Sequence, residues 1–291
     1  VAGVIEPTSR HFLSHRLRLH YLDWGHAGAP PLILLHGGND HARSWDDVAL
    51  RLRDDFHVLA PDLRGHGDSD WSPDGHYSIT AHVIDLAELI RCERLAPVSI
   101  VAHSFGARVA LRHAGIFPDT VARLVAIEGL FDIDRNGSPA ARIRDHYDRQ
   151  RSFVAKPPPR YATIEQAAER MRAVNPHLSE TLALHLARHG TRLGDDGRYR
   201  WKFDPLARPR TPIDLSPEDE RFLFGAIACP TLLVQGRESW AMMDKSDPRC
   251  TAIAGSDLVT FDDAGHWVQH DRLDAFVAEV KGFLERDRRD A

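Results

Sequence analysis

Three short apolar runs, each ending abruptly in small or polar residues, set the narrowest limit on how this chain can fold. Residues 32–35 lead into His36, Gly37 and Gly38, residues 58–60 into Pro61 and Asp62, and residues 98–102 into His103 and Ser104. Runs this short and this apolar suit strands covered on both faces, as in a parallel sheet. Between them lie helical patterns. Residues 79–95 carry Val83, Leu86, Ala87 and Ile90 at helical spacing behind Ser78 and Thr80, which can cap a helix. The alternation continues with a helix over about 105–117 closed by Pro118, strands at 121–127, 231–234 and 258–261, and a helix over about 273–284. Strand–helix alternation predicts an α/β fold with a doubly wound parallel sheet, whose right-handed crossovers place functional loops at the carboxyl ends of the strands. Residues 16–22 alternate, as an antiparallel edge strand would.

Between Gly129 and about Leu215 the pattern changes to amphipathic helices interrupted by Pro157-Pro158-Pro159 and Asp204-Pro205. The expected organisation is a core of residues 1–129 and 216–291 with a helical cap, residues 130–215, inserted into it. Long insertions of this kind are usually functional. The 291 residues suffice for one large core with such an insertion.

A formal charge of -5 provides no field that would attract nucleic acid or anionic lipid over a whole face. No stretch approaches the roughly 18 consecutive apolar residues of a membrane span, and no basic-then-apolar leader pattern opens the sequence. Cys92, Cys229 and Cys250 are widely separated, which implies neither a disulfide framework nor a metal ribbon. These features lead to the expectation of a cytoplasmic protein with a small-molecule substrate and neither a nucleic-acid nor a membrane partner.

The chemistry centres on Ala102-His103-Ser104-Phe105-Gly106, where a buried strand runs directly into a helix. A tight turn there lifts a serine hydroxyl above the sheet, and small neighbours permit the strained backbone. His36-Gly37-Gly38 ends an earlier strand, so the backbone N–H groups of Gly38 and Phe105 can converge on an oxyanion. Asp262-Asp263-Ala264-Gly265-His266-Trp267 follows the last strand, which singles out His266 among 18 histidines as the general base. Two other motifs are set aside. His185-Leu186-Ala187-Arg188-His189 lacks the acid of a zinc-protease helix and is expected on a solvated helix, and Gly65-His66-Gly67 lacks the third glycine of a dinucleotide loop. No metal and no cofactor are inferred.

Together these segments resemble the α/β-hydrolase family, and Pro61-Asp62-Leu63-Arg64-Gly65-His66-Gly67-Asp68-Ser69 is similar to that family's loop after the next core strand. Ile127-Glu128-Gly129-Leu130 and Gly236-Arg237-Glu238-Ser239-Trp240 look most like its serine-hydrolase-like esterase branch. The resemblance implies an eight-stranded, mostly parallel sheet with helices on both faces and a helical lid after the sixth strand. With serine at the nucleophile position it implies an acyl-enzyme, and it argues against dehalogenase and epoxide-hydrolase chemistry, where aspartate stands there. One position departs from the family's commonest pattern. The acid expected three residues after Gly236 is Ser239, which leaves Glu128, at the end of the sixth strand, as the preferred third member and Glu238 as the alternative. The expected activity is hydrolysis of a carboxylic ester or lactone of a small hydrophobic compound. Carbon–carbon bond hydrolysis of a dicarbonyl compound, and ligand binding without catalysis, are its rivals. Phe131, Tyr147, Phe153 and Trp201 are the candidate pocket aromatics of the insertion.

Overall fold

The computed structural model describes residues 5–130, 137–156, 158–208, 212 and 215–286. Its frame is one eight-stranded sheet built from β1 (Thr8–Ser14), β2 (Leu17–Asp23), β3 (Pro31–Leu35), β4 (His57–Pro61), β5 (Val98–His103), β6 (Val121–Ile127), β9 (Thr231–Gly236) and β10 (Asp257–Phe261). The strand order is β1-β2-β4-β3-β5-β6-β9-β10. β4, β3, β5, β6, β9 and β10 pair in parallel, while β2 is antiparallel to both β1 and β4.

The expected antiparallel strand at 16–22 is present, but it is not the edge. β1 covers it through a full seven-residue register, and five of the seven β2 residues are buried. β1 itself escapes pattern reading because only Phe12 and Ser14 of its residues are buried.

Alternate residues of the central strands serve two cores. Ile33 and Leu35 of β3, with Ile100 and Ala102 of β5, face α2 (Ile79–Cys92) and α3 (Phe105–Ile116). Leu32, Leu34 and Val101 face the opposite layer of α1 (Asp46–Leu52) and α10 (Leu273–Glu285), among Val48, Leu52, Phe276 and Val280. Each such fully buried aliphatic or aromatic side chain contributes about 1.5–3 kcal/mol. Because both faces are covered, β5 has no exposed residue, which is why it reads as an unbroken apolar run. Ser78 caps α2 by accepting from the Ala81 N–H.

The segment between β6 and β9 holds α4 (Pro139–Ala155), α5 (Ile164–Arg172), α6 (Glu180–Gly190) and α7 (Pro217–Gly225). It is not helical alone, because β7 (Thr191–Leu193) and β8 (Tyr199–Trp201) form a small antiparallel sheet. α5 and α6 enclose a satellite core of Ala167, Ala168, Leu178, Ala183, Leu186 and Ala187. Their N-caps are Thr163 and Ser179, each accepting a backbone hydrogen bond. This unit is tied to the loops that follow the sheet's carboxyl ends. His41 Nε2 donates to the Leu186 carbonyl at 3.0 Å, Trp71 Nε1 to the Lys202 carbonyl at 2.9 Å, and the Asp204 N–H to the Gly65 carbonyl at 2.7 Å.

His185 and His189 do not lie on a solvated face. His185 Nε2 is 3.2 Å from Asp46 Oδ2 and its ring packs against that of His189, so both line the seam between α6 and the core. Two short helices, α8 (Pro248–Thr251) and α9 (Val268–Asp271), complete the description.

Candidate active site

Ser104 sits at the junction of β5 and α3 with φ 52° and ψ −115°, a conformation that costs a non-glycine residue about 1–3 kcal/mol. Its neighbours hold it there. The Ser104 N–H donates to the Ile127 carbonyl at 2.8 Å, and its own carbonyl accepts from the Arg108 N–H at 3.1 Å as the first bond of α3. A side chain at Gly106 would come within 2.3 Å of the His36 carbonyl oxygen, so α3 can approach the end of β3 only through a glycine. Ala102 is fully buried beneath the turn, where a methyl group fits.

The structure brings Ser104, His266 and Glu128 into one chain of hydrogen bonds. Ser104 Oγ lies 2.9 Å from His266 Nε2, and His266 Nδ1 lies 3.3 Å from Glu128 Oε2. Glu128 follows β6 in the left-handed region, with φ 53°, and its N–H donates to the Val234 carbonyl at 2.9 Å. The carboxylate is fully buried and therefore needs donors. Oε1 accepts the Gly236 N–H at 2.8 Å, and Oε2 accepts the Ser239 hydroxyl at 2.6 Å as well as facing His266. Glu238 is elsewhere. Its half-exposed carboxylate pairs with His177 Nε2 of the inserted segment at 3.2 Å.

His266 is steadied from behind by His103, whose Nε2 donates to the His266 carbonyl at 2.8 Å. Burial, reinforced by the neighbouring His266, holds the His103 imidazole well below the usual histidine range, so it serves as a neutral donor. The His266 ring is stacked on Trp240, with centroids 4.9 Å apart and planes 30° apart, and meets Trp267 edge-on at 5.1 Å. Trp240 was not among the sequence candidates. Its signal was its place beside Ser239, on the loop where the family's acid commonly stands.

Gly38 and Phe105 lie side by side, and a Cβ on Gly38 would stand 3.8 Å from that of Phe105. The Phe105 N–H is the first of α3 and so has no intrahelical acceptor. Among the described residues, neither amide donates to another protein group. His36 supports this corner. Its Nε2 accepts from the Leu63 N–H at 3.0 Å, its Nδ1 donates to the Gly37 carbonyl at 2.7 Å, and burial pushes it down to about 3. The Asp62 carboxylate braces the same loops by accepting from the Ala42 and Asp68 N–H groups at 2.7 and 2.9 Å and from His20 Nδ1 at 2.6 Å. Burial opposes its ionisation, but the His20 hydrogen bond and charge hold it below the usual carboxylate range.

None of the described candidate aromatics of the insertion makes a ring contact with His266 or a hydrogen bond to Ser104. Trp201 donates through Nε1 to the Tyr161 hydroxyl at 3.2 Å and stacks on Phe203, so it packs the insertion on itself. Tyr147 on α4 is 56% exposed beside Arg151, Phe153 is half-buried on the same helix, and Phe131 lies outside the described residues.

Among the described residues, His20, Asp62 and Asp68 bring three potential metal-ligating atoms within 4.8 Å of one another. They are already engaged, His20 with Asp62 and Asp68 with Lys202 at 2.8 Å. No described helix is long and apolar enough to cross a membrane.

A strand-to-helix serine facing a histidine and a carboxylate across an eight-stranded sheet defines the α/β-hydrolase class. The chain belongs to the alpha/beta hydrolase family, whose model matches residues 32–279. It is 31% identical to Esterase Rv0045c of Mycobacterium tuberculosis over 272 residues, covering 91% of this chain and 85% of that protein. It is 33% identical to Lipase LipV of the same organism over 271 residues, covering 91% and 97%. The thioesterase domain from the curacin biosynthetic pathway superposes with a TM-score of 0.82 at 23% identity, covering 94% of this chain and 98% of that domain, a likeness of fold alone.

Proposed function

We propose that the protein is a serine hydrolase that cleaves a carboxylic ester or lactone of a small hydrophobic substrate through an acyl-enzyme. The observation that carries the proposal is the continuous chain from Ser104 Oγ through His266 to the buried Glu128 carboxylate, at 2.9 and 3.3 Å. His266 Nε2 takes the Ser104 proton as Oγ attacks the acyl carbon, and Glu128 stabilises the imidazolium that forms. The N–H groups of Gly38 and Phe105 receive the tetrahedral oxyanion, each worth roughly 2.7–4 kcal/mol in the transition state. His266 then gives its proton to the leaving alcohol. In the second half a water loses its proton to His266, attacks the acyl carbon, and the acid departs as Ser104 recovers its proton.

Two mycobacterial relatives named as an esterase and a lipase support ester hydrolysis. The insertion, moored to loops at the sheet's carboxyl edge, supplies the wall opposite Ser104, and Trp240 beside His266 supplies an apolar flank. The test is turnover of short and medium acyl esters set against vinylogous diketones, with Ser104→Ala as control. Ester hydrolysis that disappears in Ser104→Ala is expected. Turnover of the diketones alone would move the assignment to carbon–carbon bond hydrolysis, and tight binding with no turnover of either would mark a binding protein.

A further inference from the structure

We propose that Ser239 is a positioning residue for the proton-relay carboxylate. The inference rests on the reading of Glu128 as the acid and extends it. Ser239 stands three residues after Gly236, where the family's commonest pattern places its aspartate, yet a neutral hydroxyl cannot stabilise an imidazolium. The structure gives it different work. Its Oγ donates to Glu128 Oε2 at 2.6 Å, the same oxygen that faces His266 Nδ1 at 3.3 Å.

The direction of the Ser239 bond is fixed by its surroundings. Its Oγ also accepts from the Ala241 N–H at 3.0 Å, and an ionised carboxylate only accepts, so the one hydroxyl proton points at Oε2. Two donors thus converge on Oε2, while the Gly236 N–H holds Oε1 at 2.8 Å. A glutamate side chain has more torsional freedom than an aspartate, and here it leaves a strained backbone at φ 53°. The Ser239 and Gly236 donors remove that freedom and keep Oε2 under the imidazole.

The experiment measures kcat and KM on one activated ester for Ser239→Ala, Ser239→Thr and Glu128→Gln, with melting curves to verify folding. Loss of the hydroxyl in Ser239→Ala should lower kcat about tenfold with KM little changed, and Ser239→Thr, which keeps the hydroxyl, should recover it to within about threefold of wild type. A merely structural serine would lower Tm without separating alanine from threonine in kcat. Wild-type kcat in Ser239→Ala, or the same loss of kcat in folded Ser239→Ala and Ser239→Thr, overturns the proposal. Wild-type turnover in Glu128→Gln overturns the underlying assignment of the acid instead, so the two failures are distinguishable.

Discussion

Replacing Glu128 by glutamine changes one atom and tests the proton relay through its hydrogen-bond polarity. The carboxylate accepts from three sides, the Gly236 N–H, the Ser239 hydroxyl and His266 Nδ1. An amide must turn one acceptor into a donor. The Gly236 N–H belongs to the backbone at the end of β9 and cannot rotate, so the amide oxygen takes that side and the NH2 faces Ser239 and His266. Ser239 can turn its proton away, but His266 can respond only by accepting at Nδ1. That places its proton on Nε2, where it can no longer take one from Ser104. The same tautomer fault in the serine-protease precedent costs about 10⁴ in kcat, equivalent to roughly 5.5 kcal/mol. We therefore predict a fall of about 10³–10⁴ in kcat with KM within a few fold, measured by steady-state hydrolysis of an activated acyl ester. Turnover within threefold of wild type, in a variant whose melting curve is unchanged, would refute this reasoning.

Glu238→Gln should keep kcat near wild type, because its carboxylate meets His177 rather than His266, and a partly exposed ion pair is worth only about 0–1 kcal/mol; the same ester assay checks it, against a loss of orders of magnitude. Gly106→Ala should destabilise by more than about 3 kcal/mol or prevent folding, since its methyl would press within 2.3 Å of one rigid carbonyl oxygen and 2.7 Å of another; a wild-type urea midpoint would contradict this. Stability should fall as pH drops from about 6.5 toward 4, because burial pushes His36 and His82 down to about 3 and His113 to about 4. The unfolded chain binds protons there that the folded chain refuses, costing roughly 1.4 kcal/mol per pH unit for each histidine. Tm measured across this range should decline steeply, and a flat Tm between pH 7 and 5 would count against the buried neutral histidines.

The parts of the molecule legible in its sequence are those where one local rule decides. β5 is covered on both faces and so announces itself as an apolar run, and Ser104 is recognisable because a helix begins on the residue after it. β1 was invisible because its residues are mostly exposed and its reason for being a strand is the neighbouring β2. The same absence of tertiary information explains the other differences. An i, i+4 histidine pair gives no hint that Asp46 waits across the seam, and an aromatic such as Trp201 looks the same whether it faces a substrate or Tyr161. The departure at Ser239 was legible as an omission, whereas its hydrogen bond to a carboxylate 111 positions away was not.

The central claim, that Ser104 is the nucleophile of an acyl-transfer site, is tested most directly by treating the protein with a fluorophosphonate and mapping the adduct by peptide mass spectrometry. The probe reports a serine activated by its base and needs no knowledge of the natural substrate. The geometry of Ser104 Oγ at 2.9 Å from His266 Nε2 predicts one adduct, on the peptide containing Ser104, that forms in parallel with loss of ester hydrolysis. An adduct on another residue, or full hydrolytic activity in Ser104→Ala, would contradict the account.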